Sequence, residues 1–289
     1  MTALNTTVSH LIAPTQFVEA EGIRFAYRQF GDMTGTPLVF LQHFRGGMDH
    51  WDPTVTTGLA RHRQVILFDN AGVAASSGET PDTIEAMGDH AAAFIRGLGM
   101  KSADVLGFSI GGCVAQALTL RHSTLVRRLV LVGTAPRAGE YQDRHPNVSA
   151  VAGHPVPTIE DILFLFFEPS PTSQKAGRAF WQRRHQRVVD VDPPSSLQTA
   201  VGQRAALTEW AQPRGERFSE LKEITQPTLV VNGNHDIMMP TINSYLLAQH
   251  IPSAEMVMFP DSGHGSLFQY PDLFVENVSR FLGAEPAFT

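Results

Sequence analysis

Three residues far apart in this 289-residue chain have the side chains that acyl transfer to a serine requires: Ser109, Asp236 and His264. A serine hydroxyl is a weak nucleophile near neutral pH, so it needs a histidine base within hydrogen-bond reach and a carboxylate that orients the base. Ser109 is the centre of Gly-Phe-Ser-Ile-Gly at residues 107–111, between an apolar run and a helical pattern. This Gly-x-Ser-x-Gly pattern predicts a nucleophile elbow, in which small neighbours leave room for a sharp strand-to-helix turn. The alternative is a chance turn rich in glycine and serine.

The proposed base and acid each follow an apolar run. His264 lies in Asp-Ser-Gly-His-Gly at residues 261–265, and Asp236 ends Val-Asn-Gly-Asn-His-Asp at residues 231–236. The carboxyl ends of parallel strands meet at one edge of a sheet, so we expect both side chains at the edge that carries Ser109.

Two other residues compete with this assignment of the base and the acid. His235 adjoins Asp236 and points elsewhere if the acid points inward. Asp261 is too close in sequence to His264 to approach its ring easily, and the preceding strand offers no acid before Glu140. Asp236 is therefore the preferred acid.

The elements around these motifs alternate between strands and helices, which predicts a parallel sheet with helices on both faces. The predicted strands are residues 15–20, 23–29, 38–41, 64–68, 103–108, 126–132, 228–232 and 255–259. The alternation stops over residues 136–225, which hold many prolines and several helical patterns but no convincing strand. The sequence thus predicts an α/β core of residues 1–135 and 226–289 with an inserted helical cap at 136–225. A charged cluster in this cap, residues 183–187, is interpreted as a solvated helix face, with contact to substrate as the alternative.

Composition limits the function classes. A net charge of −6 argues against a nucleic-acid partner, and the single cysteine, Cys113, excludes an internal disulfide and is expected in the core. The histidines show no metal-ligand spacing, so we expect neither a metal nor another cofactor. The chain has no apolar run of about 18 residues and no signal pattern in residues 1–14, so we expect a cytoplasmic protein that does not span a membrane. A homo-oligomer stays open.

An oxyanion formed at the substrate needs about two amide donors. The first unpaired N–H after the elbow belongs to Ile110, and a second is expected from the loop at residues 43–47.

Together these motifs resemble the α/β-hydrolase superfamily over about residues 16–282. The chain is most similar to its capped branch of esterases, lactonases, cofactor-free haloperoxidase-like perhydrolases and carbon–carbon bond hydrolases. Relatives usually have a glycine after the loop histidine; here Phe44 occupies that place and Arg45 stands where the amide donor would be, with Phe44 as the alternative donor. Family members that displace a leaving group from a saturated carbon use an aspartate as the nucleophile, so a serine at position 109 argues against that chemistry.

The resulting hypothesis is a serine hydrolase of a small apolar carboxylic ester or lactone. Carbon–carbon bond cleavage and cofactor-free perhydrolysis are the alternatives, and a ligand receptor with slow turnover is a further one. The predicted substrate pocket consists of aromatic residues, namely Phe44, Phe108, Phe164, Phe167, Trp181 and Trp210.

Overall fold

The computed structural model describes residues 9–283, so the two ends of the predicted core, 1–8 and 284–289, lie outside the described residues. Its centre is a sheet of eight strands. They are β1 (Gln16–Ala20), β2 (Ile23–Gly31), β3 (Leu38–Leu41), β4 (Gln64–Phe68), β5 (Ala103–Phe108), β6 (Val126–Val132), β7 (Thr228–Gly233) and β8 (Ala254–Phe259). The predicted strands therefore all form.

The strands lie in the order β1-β2-β4-β3-β5-β6-β7-β8. The pairs β1 with β2 and β2 with β4 are antiparallel, and every later pair is parallel. All residues of β3, β5 and β7 are buried, because helices cover both faces of a parallel sheet. The predicted mostly parallel α/β sheet is thus confirmed.

Ten α-helices accompany the sheet among residues 9–283. They are α1 (Pro53–Leu59), α2 (Ile84–Gly97), α3 (Ile110–Arg121), α4 (Val148–Val151), α5 (Ile159–Phe166), α6 (Pro171–Arg184), α7 (Leu197–Trp210), α8 (Ile242–His250), α9 (Ser266–Gln269) and α10 (Pro271–Gly283). Buried side chains of α2, α3 and α8 form one core with one face of the sheet, and those of α1 and α10 form a second core on the other face. Every one of these described helices falls short of the length and hydrophobicity needed to cross a lipid bilayer.

Helices α4 to α7 lie between β6 and β7, and no strand forms in residues 136–225; we call these residues the cap segment. Sequence signals fix where its helices start. Ser170 accepts a hydrogen bond from the Ser173 amide and is followed by Pro171, the first residue of α6. The cap segment contributes residues to the cavity at Ser109, so it helps to position the candidate site.

Candidate active site

Ser109 occupies a strained corner between β5 and α3. Its backbone has φ 60° and ψ −124°, in the left-handed region of φ that side chains rarely adopt. The flanking glycines are required by space: a Cβ at Gly107 would lie 2.3 Å from Gly111 O, and one at Gly111 would lie 2.1 Å from Leu41 O. The turn is held by Thr134 Oγ1, which donates to Ser109 O at 2.8 Å. The pattern at residues 107–111 thus has the geometry of a nucleophile elbow.

Asp236 and His264 meet beyond the carboxyl ends of β7 and β8. His264 Nδ1 lies 2.7 Å from Asp236 Oδ2, and both side chains are fully buried. The other carboxylate oxygen, Oδ1, accepts hydrogen bonds from the amides of Met238 at 2.8 Å and Met239 at 2.9 Å. An ionised carboxylate can only accept, so His264 Nδ1 carries the proton and Nε2 has the free lone pair that a base needs.

Ser109 and His264 line the same cavity, whose volume is about 140 Å³. Nε2 of His264 is buried and forms no hydrogen bond with any described residue, so the hydrogen bond to the Ser109 hydroxyl is not formed in this structure. Catalytic hydrogen bonds are often long without substrate and tighten in the complex. The structure therefore brings the three predicted residues to one site, joined at the aspartate–histidine contact.

The predicted amide donors differ in availability. The Arg45 amide donates to Gln203 Oε1 of α7 at 2.7 Å, because Arg45 sits at the top of a tight turn with φ 58°. Its guanidinium donates to the carbonyls of His154 and Pro155 in the cap segment. By contrast, the Ile110 and Phe44 amides donate to no described residue. The Arg45 amide is thus already bonded in this structure, whereas the amide of Phe44, the alternative donor, is free among the described residues.

Only one of the six aromatic residues predicted in the pocket, Phe44, lines the cavity that Ser109 and His264 share. Phe108 lies beneath it, with its ring 4.9 Å from the His264 ring, and Trp181 packs on His185. Phe164 and Phe167 line a separate groove between the cap segment and the loops that carry His235 and Gly263. Trp210 is buried in the core, where its Nε1 donates to Ala135 O at 3.2 Å.

Several residues that line this cavity were not predicted as pocket residues from the sequence: His43, His50, Phe166 and Arg184. Burial lowers the pKa of His43 to about 3, and burial also lowers the pKa of His50 well below its usual value; the charge of Arg184 acts in the same direction on both. Both rings are therefore neutral near pH 7. In the sequence, the segment His43-Phe44-Arg45 is marked only by its possible amide donors, and the charged cluster at 183–187 is the one signal for Arg184.

A second cavity, of about 510 Å³, also reaches Ser109. Besides Ser109 it shares Phe44, Ala152 and Met238 with the first cavity, and it is otherwise lined by Tyr141, Arg144 and other residues of the cap segment and its surroundings. The serine is thus accessible from a small cavity and a larger one, as an enzyme with an acyl site and a leaving-group site requires.

Within residues 9–283, no group of three or more His, Cys, Asp or Glu side chains is placed to hold a metal ion.

Comparison with known proteins places these observations in a family. A family model described as the alpha/beta hydrolase fold matches residues 36–271. A solved structure of an alpha/beta hydrolase fold protein from Chitinophaga pinensis is 40% identical, covers 96% of this chain and 100% of that chain, and has a TM-score of 0.91.

Two curated relatives have named activities. The 2-hydroxymuconate semialdehyde hydrolase of Pseudomonas sp. strain CF600 is 26% identical over 93% of each chain. The pimeloyl-[acyl-carrier protein] methyl ester esterase of Nitrosomonas europaea is 26% identical over 83% of this chain and 93% of that protein.

Proposed function

We propose that this chain, a member of the alpha/beta hydrolase fold family, is a serine hydrolase that cleaves a small carboxylic ester or lactone through an acyl-enzyme. One observation carries the proposal: the buried Asp236–His264 pair, 2.7 Å apart, leaves His264 Nε2 without a hydrogen-bond partner among the described residues, and His264 lines the same cavity as Ser109. The strained turn at Ser109 supports it, since such strain persists at functional sites.

In the proposed reaction, His264 Nε2 takes the proton of the Ser109 hydroxyl as Oγ attacks the substrate carbonyl. The amides of Ile110 and Phe44 hold the oxyanion, each contributing about 10²–10³ in rate. When the tetrahedral intermediate collapses, the imidazolium of His264 gives its proton to the leaving alcohol. Water then enters, loses a proton to the same nitrogen and releases the acid, which regenerates the serine.

Carbon–carbon bond hydrolysis is the second candidate, favoured by the similarity to the 2-hydroxymuconate semialdehyde hydrolase. It differs from ester cleavage because the leaving group is a carbanion that must be protonated at carbon. Rates on p-nitrophenyl esters of graded chain length and on a vinylogous 1,5-diketone separate the two candidates. An esterase cleaves the esters faster, and a carbon–carbon hydrolase cleaves the diketone faster.

The test of the nucleophile is labelling with a fluorophosphonate, followed by peptide mapping. We expect modification at Ser109 and a loss of about 10⁶ in kcat for Ser109→Ala on a p-nitrophenyl ester. Ser123→Ala, which changes an exposed serine, is the matched control and should retain both labelling and turnover. Modification at another residue, or full activity of Ser109→Ala, refutes the proposal.

A further inference from the structure

One cation in the catalytic cavity lacks the partner that its neighbours have. Arg183 pairs with buried Asp52 at 2.6 Å, and Arg187 donates to the carbonyls of His10 and Ala13. Arg184, also buried, has an Nε and an Nη1 that form no hydrogen bond with any residue in 9–283. Since burying an unpaired charge is costly, this guanidinium is poised for an anion that the chain itself does not supply.

Arg184 lies in the wall of the cavity where the substrate would bind. It lines the cavity shared by Ser109 and His264, and its Cζ lies 5.8 Å from the Phe180 ring and 5.2 Å from the Trp181 ring. These rings stabilise the cation through their faces and hold the side chain in place. Burial lowers the pKa of Arg184 to about 10, which still leaves it protonated near pH 7.

His50 supplies a second donor in the same cavity. Its Nδ1 accepts a hydrogen bond from the Gly47 amide at 2.9 Å, and its ring is neutral because burial and the nearby Arg184 charge lower its pKa. The single ring proton therefore resides on Nε2. Nε2 has no hydrogen-bond partner among the residues the structure describes, and His50 lines the cavity.

The other charged groups near the cavity are already engaged. Asp161 binds His154 and the Thr158 amide, and the Arg45 guanidinium donates through Nη1 and Nη2 to two carbonyls of the cap segment, which leaves only its Nε unbonded. Asp49, the acid whose charge acts on Arg184, pairs with Arg28. These contacts leave Arg184 and His50 as donors for a ligand.

We propose that Arg184 and His50 bind a carboxylate carried by the acyl part of the substrate, at the end remote from the scissile carbonyl. This inference rests on the proposed function and narrows its substrate to a monoester or lactone related to a short dicarboxylic acid. The cavity of about 140 Å³ has room for a group the size of benzene, which suits a short acyl chain. The larger cavity of about 510 Å³ then receives the leaving alcohol.

The test compares p-nitrophenyl hemiesters of dicarboxylic acids, from succinic to adipic, with p-nitrophenyl esters of monocarboxylic acids of the same carbon number. The wild-type protein should prefer at least one hemiester in kcat/KM. Arg184→Met should lower kcat/KM for that hemiester by about 10²-fold, the loss of a charged hydrogen bond, and change the neutral ester only a few-fold. Arg184→Lys keeps the charge but lacks the bidentate donors of a guanidinium, so its kcat/KM for the hemiester should fall by less.

Arg178→Met is the matched control, since Arg178 lies on the same helix and is exposed. It should leave the hemiester-to-ester ratio unchanged. The inference is overturned if the wild type shows no preference for a hemiester, or if Arg184→Met retains that preference. Water would then hydrogen-bond to the guanidinium in place of a substrate carboxylate. In that case hydrolysis of the neutral ester still supports the proposed function. If Arg184→Met does not fold, the loss of preference in Arg184→Lys decides.

A binding measurement keeps the two proposals separable if no p-nitrophenyl ester is hydrolysed. Adipate is titrated calorimetrically into the wild-type protein, and into Arg184→Met and Arg178→Met. Binding that is lost only in Arg184→Met supports the anion subsite even though the ester proposal has failed. Absence of adipate binding to the wild type overturns the subsite.

Discussion

At the scale of single side chains, both carboxylate oxygens of Asp236 are engaged. Oδ1 accepts two backbone amides, those of Met238 and Met239, and Oδ2 contacts His264 Nδ1. With both oxygens occupied, the carboxylate cannot rotate without breaking contacts. We infer that its role is to fix the tautomer and orientation of the imidazole and to stabilise the imidazolium during turnover.

Asp236→Asn is expected to lower kcat on a p-nitrophenyl ester by about 10⁴, because an amide in this position selects the wrong tautomer of His264. Steady-state kinetics of the folded variant measures this loss. Asp261→Asn is the control, since Asp261 was the competing acid and binds Ser170 Oγ at 2.7 Å in the structure. A larger loss in the control than in Asp236→Asn would assign the acid to Asp261.

The residues of the candidate triad were predictable because each is marked by local sequence: glycines around Ser109, and an apolar run before Asp236 and before His264. Arg184 was not, because a run of charges is typical of a solvated helix face. The burial of Arg184 depends on contacts between its helix and other elements. For example, the adjacent Arg183 pairs with Asp52, which precedes α1. Contacts of this kind do not appear in any local pattern.

At the level of elements, the elbow depends on the close approach of α3 to the carboxyl end of β3. Gly111→Ala places a Cβ 2.1 Å from the backbone oxygen of Leu41, which cannot move aside as a side chain can. We expect the free energy of unfolding to fall by about 3 kcal/mol, together with loss of ester hydrolysis, as measured by urea denaturation and kinetics. Gly283→Ala, where a Cβ meets nothing within 4 Å, should be neutral. Equal stability of the two variants would refute the close approach.

The cap segment is tied to the core through Asp52. This buried carboxylate accepts the Thr54 amide at the start of α1 and pairs with Arg183 of α6 at 2.6 Å. Removing one partner of a buried pair leaves the other charge unpaired, so Asp52→Asn should destabilise the protein by about 3–5 kcal/mol in urea denaturation.

The exposed pair Asp89–Arg121 provides the control for this prediction. Its side chains are 35% and 48% exposed, so Asp89→Asn should cost about 0–1 kcal/mol. A similar small effect at Asp52 would show that the ion pair does not hold α6 to the core.

The helix boundaries show which features of an element can be predicted from local sequence alone. Helix α2 begins at Ile84 because the Thr83 side chain caps it by accepting a hydrogen bond from the Ala86 amide. Helix α6 begins at Pro171, after the capping residue Ser170, and ends at Arg184; beyond its end, the Arg187 guanidinium donates to the carbonyls of His10 and Ala13. Capping signals are local and readable, whereas the ends of cap helices depend on tertiary contacts.

For the whole molecule, buried neutral histidines link stability to pH. Burial lowers the pKa of His10 from 6.5 to about 4, an effect that the charges of Arg28 and Arg187 reinforce and that of Asp49 opposes. Between these values the unfolded chain binds a proton that the folded protein does not, so unfolding is favoured as the pH falls. The stabilisation is complete above pH 6.5 and is lost as the pH approaches 4.

We expect the free energy of unfolding of the wild type to depend on pH more steeply than that of His10→Asn between pH 4 and 6.5. The difference in slope should reach about 1.4 kcal/mol per pH unit, measured by urea denaturation at several pH values. His62→Asn, which changes an exposed histidine, should leave the slope of the wild type unchanged. Identical slopes for wild type and His10→Asn would contradict the burial of a neutral His10.

The central claim is that Ser109 carries the acyl group during turnover, and trapping that intermediate tests it most directly. A p-nitrophenyl ester is mixed with the enzyme, the reaction is quenched in acid within its first turnovers, and the peptides are analysed by mass spectrometry. The account predicts that the mass of the acyl group appears on Ser109 in the wild type. Rapid hydrolysis with no adduct, or with the adduct on a different residue, would contradict it.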